Sequence, residues 1–121
     1  MDGNYFEEIK WKHDLLWQEH EEKEEELQKR KYQLENMEDE LYTEHQQTHH
    51  LIQEESVKWK SGEIHRLYIQ VDDQMFVEQR KSANYIQEQR EVLQRERKNL
   101  RREEEELLEA RQRDYKENGE E

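Results

Sequence analysis

The chain has no cysteine and no proline, and only three glycines among its 121 residues. Without cysteine there is no disulfide framework, no thiol nucleophile and no thiolate metal site. Without proline, nothing internal forces a helix to break. The glycines are Gly3, Gly62 and Gly119, so Gly62 alone lies away from the ends. Apolar residues are scarce, at 30% of the chain against roughly 45–50% in an ordinary globular domain. No apolar run exceeds three residues, too short for a membrane-spanning helix. Basic charge is also in deficit: 20 Lys and Arg against 33 Asp and Glu give a net charge of −13. Nucleic-acid binders need a basic stripe to displace counterions, and anionic membrane surfaces also select basic segments. Both partner classes are therefore disfavoured. The start, Met1-Asp2-Gly3-Asn4-Tyr5, lacks the basic and apolar regions of a signal peptide. The expected compartment is the cytoplasm, with export alongside a cargo left open.

Charged residues make up 44% of the chain, so either it is disordered or it forms long helices that bury a narrow stripe. Eleven aromatic residues, regular leucine spacing and the lack of proline favour helices. Gly62 stands at the midpoint, within Val57-Lys58-Trp59-Lys60-Ser61-Gly62-Glu63. Glycine commonly ends a helix because it adopts the left-handed conformation without a Cβ clash. The expected fold is all-α: a single domain, 1–121, of two long antiparallel helices forming a coiled-coil-like helical hairpin. Helix 1 spans about 5–60 and helix 2 about 63–116, with a frayed tail at 117–121. The turn falls at about Ser61-Gly62, with Trp59 in the last turn of the first helix.

Taken in order, Phe6, Ile9, Leu16 and Trp17 share a broad helical face, with His13 and His20 near it, which predicts core packing. Residues 19–26 are nearly all acidic, the usual mark of a solvated helix face. Leu27, Leu34 and Leu41 then recur every seven residues, a coiled-coil-like seam weakened by Arg30 and Glu44. His45 and His49, four apart, have the spacing of a zinc-ligand pair, but a closed site needs four ligands. They are read as part of a solvated polar helix. Near the turn, Ile64, Leu67, Tyr68, Val71 and Met75 gather into one stripe expected to pack on the first helix. Ile69 and Phe76 project roughly a third of a turn away, and the second stripe needs a partner to cover it. A second seam follows, Ile86, Leu93, Leu100 and Leu107, with Arg90 and Arg97 where further apolar residues would fall.

Charge provides a test of the fold-back. If the chain reverses near residue 61, position i lies beside roughly position 122 − i, and acidic block 19–26 faces 96–103, where Arg97, Lys98, Arg101 and Arg102 cluster. Lys29-Arg30-Lys31 would face the neighbourhood of Glu91, and Glu103 to Glu106 would approach Lys12 and Lys10. A parallel in-register dimer would set the acidic block against itself.

Tryptophan and glycine at the turn of a two-helix hairpin resemble the WXG-motif, ESAT-like proteins of type VII secretion. Those have Trp-x-Gly, while this chain has Trp59-Lys60-Ser61-Gly62, one residue longer. Trp59, Gly62, Glu63, Tyr68 and the Arg/Glu-rich stretch 86–113 look more like a family of small helical proteins associated with LXG toxins in Gram-positive bacteria. The resemblance covers roughly residues 55–113; residues 1–50 match only in being helical. It implies a chaperone or targeting factor that binds the helical N-terminal LXG domain of a toxin used in interbacterial antagonism. A second small helical hairpin protein would commonly share the complex, and self-association is the further option. A Tyr-x-x-x-Asp/Glu export signal is expected after the second helix in such complexes. Tyr115-Lys116-Glu117-Asn118-Gly119 does not fit it, and Tyr68-Ile69-Gln70-Val71-Asp72 fits only inside a helix. The resemblance therefore implies that a partner carries the signal.

The expected function is non-catalytic, with no catalytic, cofactor-binding or metal residues and no cofactor. Carboxylates are plentiful, but no pattern suggests a pocket that would tune them. The turn residues are Trp59, Ser61, Gly62 and Glu63. The expected partner-binding residues are Ile64, Leu67, Tyr68, Ile69, Val71, Met75, Phe76 and Val77, because aromatic and apolar anchors dominate such interfaces. The alternatives are a hairpin component or escort of another export machine, similar to a type III stalk protein, and a prefoldin-like chaperone subunit. The last would require Val57–Val71 to form a β-hairpin, which its Val, Ile and Tyr content favours and the spacing of Leu67, Tyr68 and Ile69 opposes.

Overall fold

A computed structural model describes residues 2–59 and 62–118, with side chains described from Tyr5 onward. Two helices account for nearly all of it: α1, Asp2–Lys58, and α2, Glu63–Asn118, forming a helical hairpin. Good helix formers without a break explain their length. None of the described residues is in a strand, so the β-hairpin reading of Val57–Val71 does not hold. Nor is any helix among them long and apolar enough to cross a membrane.

The turn differs in detail from the expected one. α1 begins before residue 5 and stops at Lys58, so Trp59 lies just past the last turn rather than in it. The Trp59 N–H donates to the Ser56 carbonyl at 3.3 Å, a tightened bond common at helix ends. Ser61 lies outside the described residues. Gly62 has φ +98°, where only glycine is comfortable. Its carbonyl accepts the Arg66 N–H at 3.2 Å, so Gly62 opens α2 rather than closing α1. Glu63 follows in the first turn of α2, where a carboxylate favours the positive end of the helix dipole. At the far end, Glu117 and Asn118 remain helical instead of frayed, and the Asn118 side chain donates to the Asp114 carbonyl at 3.0 Å.

The chain divides into two compact units, one of Met1–Arg30 with Val92–Glu121 and the other of Lys31–Glu91. In each, α1 and α2 pair antiparallel. The first unit is held by His13–Asp114 at 2.7 Å, Lys23–Glu103 at 3.0 Å and Arg30–Glu96 at 2.5 Å. The second is held by Arg90–Glu38 and by His49–Asp72 at 2.7 Å. These partners fall from one to six positions beyond or before 122 − i, so the fold-back register is right to within two helical turns.

The ions that set the register are not those expected. Among the described residues, no ion pair joins the glutamates of 19–26 to Arg97, Lys98, Arg101 or Arg102. Instead Lys23, inside the acidic block, reaches Glu103, and Arg30 reaches Glu96 rather than Glu91. Glu103 is thereby engaged far from Lys10 and Lys12. Exposed pairs of this kind contribute only about 0–1 kcal/mol each.

Along each helix the seam positions are half polar. On α1 the ladder of Leu27, Leu34 and Leu41 extends back in steps of seven through His20 and His13 to Phe6; both histidines are buried, at 1% and 6% exposure. On α2 the ladder of Leu107, Leu100, Leu93 and Ile86 continues to Gln79, Asp72 and His65, which are half-buried. The intervening seam residues there are Gln89 and Glu96, one position before the expected Arg90 and Arg97, both of which are exposed. Among the described residues, Leu34, Ile86 and Leu100 are the buried apolar ones. Phe6, Ile9, Leu16 and Trp17 face inward as expected, while Tyr5, Trp11 and Leu15 remain exposed.

Candidate partner surface around the turn

In the unit that contains the turn, the seam side of α2 is carried by His65, Tyr68, Asp72, Met75 and Gln79, all half-buried. Asp72 accepts from the His49 ring of α1 at 2.7 Å. Polar contact thus replaces much of the apolar packing a seam normally has. The apolar residues lie beside it. Only Tyr68 and Met75 of the stripe expected to pack on the first helix turn inward; Ile64, Leu67 and Val71 are exposed. The shift is one residue: His65 and Asp72 occupy the inward positions next to Ile64 and Val71. At about 100° per residue, that displacement turns an apolar side chain from the seam to its flank.

Ile69 and Phe76 stand on the opposite flank and Val77 further round the helix, all exposed, with Phe76 at 61%. The Arg80 guanidinium lies over the Phe76 ring at 5.7 Å, a contact that shields one face of the ring at modest energy. From α1, Leu51 and Val57 are exposed, the latter at 65%, and Trp59 is exposed beside the turn. Gly62 and Glu63 are exposed as well. Lys58 donates to Glu55 at 3.0 Å, and that hydrogen bond raises its pKa above the usual lysine value.

Apolar side chains therefore line both flanks of a polar seam, a pattern that isolated surface leucines do not produce. Aromatic and branched side chains here stand next to charged rims, a composition that interfaces commonly have. Among the described residues of this unit, no three His, Asp or Glu side chains gather closely enough to hold a metal ion. His45 and His49, considered above as zinc ligands, are drawn apart in role, since His49 is engaged with Asp72, and His50 pairs with Glu54 at 2.9 Å. In the other unit, a shallow groove of about 570 Å³ runs beside Leu27 and Leu100, lined by the stems of Glu19, Lys23, Arg30 and Glu96.

The buried polar residues of the seam are two histidines that residue type alone does not place in a core. The sequence predicts His13 and His20 near an apolar face, whereas they lie at its centre. The signal that identifies them is the seven-residue step, which runs through them without a change of phase. Compared with known proteins, the chain matches no family model, no curated protein and no solved structure.

Proposed function

We propose that this chain is a non-catalytic binding hairpin whose apolar flanks around the turn dock a helical partner. The observation that supports the reading most is the displacement of Ile64, Leu67 and Val71 on one side and Ile69 and Phe76 on the other out of a polar seam, with Val77 further round. A chain with 30% apolar residues that leaves these in water gains stability when a partner covers them, because binding to the folded state alone shifts the unfolding equilibrium. The resemblance of Trp59, Gly62, Glu63 and Tyr68 to LXG-toxin-associated proteins extends the proposal to a specific partner: the helical LXG domain of a toxin, escorted to type VII secretion. In that role the hairpin holds the toxin's N-terminus and the export signal comes from another member of the complex.

Affinity capture of the tagged chain from its native cell, with Phe76→Glu in parallel, tests both levels. The expected result is recovery of a protein with a long helical N-terminus and a C-terminal toxin domain, lost in the variant. Recovery of an export ATPase or of unfolded clients, again lost in the variant, would keep the docking surface and replace the toxin assignment. A partner retained by Phe76→Glu would remove the surface itself.

A further inference from the structure

Far from the turn, in the unit formed by Met1–Arg30 and Val92–Glu121, His20 occupies an unusual environment. Its ring is 1% exposed, in a ladder position where the following members are leucines. Burying an imidazole is unfavourable unless its nitrogens are satisfied. Nε2–H donates to Glu24 Oε1 at 2.8 Å. Nδ1 is buried and has no hydrogen-bond partner; Glu103 Oε2 stands 3.8 Å from it, beyond hydrogen-bond reach. Glu104 brings a further carboxylate, so that ligand atoms of His20, Glu24 and Glu104 all lie within 4.8 Å of one another.

We propose that His20, Glu24 and Glu104 bind a divalent first-row transition metal ion of the zinc or manganese type, bridging α1 and α2. His20 and Glu24 stand four apart on one face of α1, and Glu104 comes from α2. One imidazole nitrogen with two carboxylates selects transition ions over calcium and magnesium, which take oxygen ligands. Metal–ligand distances of about 2.0–2.2 Å need the carboxylates to close in slightly, which glutamate side chains do by rotamer changes at the surface. The ion binds the Nε2 lone pair in the tautomer that carries the ring proton on Nδ1, so the imidazole stays neutral and its proton moves from one ring nitrogen to the other. Glu103, 3.8 Å from Nδ1, would accept that proton after a rotamer change that closes the gap, as a carboxylate commonly does behind a metal-bound histidine. Lys23 holds Glu103 in turn at 3.0 Å. The glutamates of 19–26 add a negative field that concentrates cations at the site. Three protein ligands leave positions for water, so the ion acts as a clip between helices.

The test is calorimetric titration of the full-length protein with zinc chloride and manganese chloride, with magnesium chloride as the control. Wild type, Glu104→Gln and His45→Gln/His49→Gln are compared, with helicity of each checked by circular dichroism. Glu104 is half-exposed, so its variant is expected to stay folded. One equivalent of zinc or manganese should bind and raise the melting temperature, and Glu104→Gln should weaken binding at least tenfold. The His45→Gln/His49→Gln variant should bind as wild type does. Three results overturn the site: no saturable binding, equal affinity in Glu104→Gln, or binding lost in His45→Gln/His49→Gln. His20 would then be a structural contact only.

Discussion

His13 and Asp114, 101 positions apart in sequence, meet at 2.7 Å with the imidazole almost wholly withdrawn from water. The Tyr115 ring meets His13 edge-on, with centroids 5.9 Å apart, and Phe6 in turn packs against Tyr115 at 5.4 Å. A polar pair with an aromatic surround thus joins the start of one helix to the end of the other, where an ordinary coiled coil would use leucines.

Asp114→Ala should destabilise the hairpin by about 1–3 kcal/mol, because it leaves a buried imidazole without its acceptor. His13→Leu combined with Asp114→Leu should lie closer to wild type than Asp114→Ala does, since removing both polar partners removes the unmet demand. Urea melts followed at the helical dichroism band measure both; an Asp114→Ala protein with wild-type stability would show that the contact adds nothing.

Leu34→Ala and Glu96→Gln probe the two kinds of seam residue. Leu34 is buried, and truncating a buried leucine costs about 2–5 kcal/mol, the lower part of that range applying where only two helices surround the gap. Glu96 bonds Arg30 in a half-exposed setting, and its loss should change stability by less than about 1 kcal/mol. Comparable losses in the two variants would mean that ions rather than leucines hold this seam.

Gly62→Ala isolates backbone strain. A Cβ built on Gly62 meets nothing within 4 Å, while φ is +98°. The whole penalty is therefore conformational, on the order of 1–2 kcal/mol, with no clash to relieve. Thermal melts should show the loss, and a neutral Gly62→Ala would indicate that the turn relaxes to a negative φ.

Phe76→Glu should leave the melting transition within about 0.5 kcal/mol of wild type, because the ring is exposed and surface changes of this sort are usually near neutral. Partner capture should fail. A variant that instead loses helicity would put Phe76 in the hairpin's own packing.

Legibility varied along the chain. Gly62 and the missing prolines were enough to read the hairpin, and the midpoint position of Gly62 placed its register within six positions, although the charge pairs expected from it are not the ones that form. What misled was the equation of apolar with inward. Near the turn the seam uses His65 and Asp72, so the neighbouring Ile64 and Val71, which carry the apolar signal, sit one residue off it. The same equation hid His13 and His20, although Phe6, His13, His20, Leu27, Leu34 and Leu41 keep an unbroken step of seven. Position in the ladder, not residue polarity, decided burial. Glu103 and Glu104 were legible only as charge, because their meeting with His20 depends on which faces of two helices coincide.

The unbroken ladders also govern how the molecule's length can change. Losing three or five residues from α1 would rotate everything beyond the cut away from α2, whereas losing seven keeps every later ladder position in phase. Matching seven from α2 would then restore the facing partners. Paired seven-residue insertions or deletions, each close to 10 Å of helix at 1.5 Å per residue, should therefore leave the hairpin folded, while unpaired or three-residue ones should not.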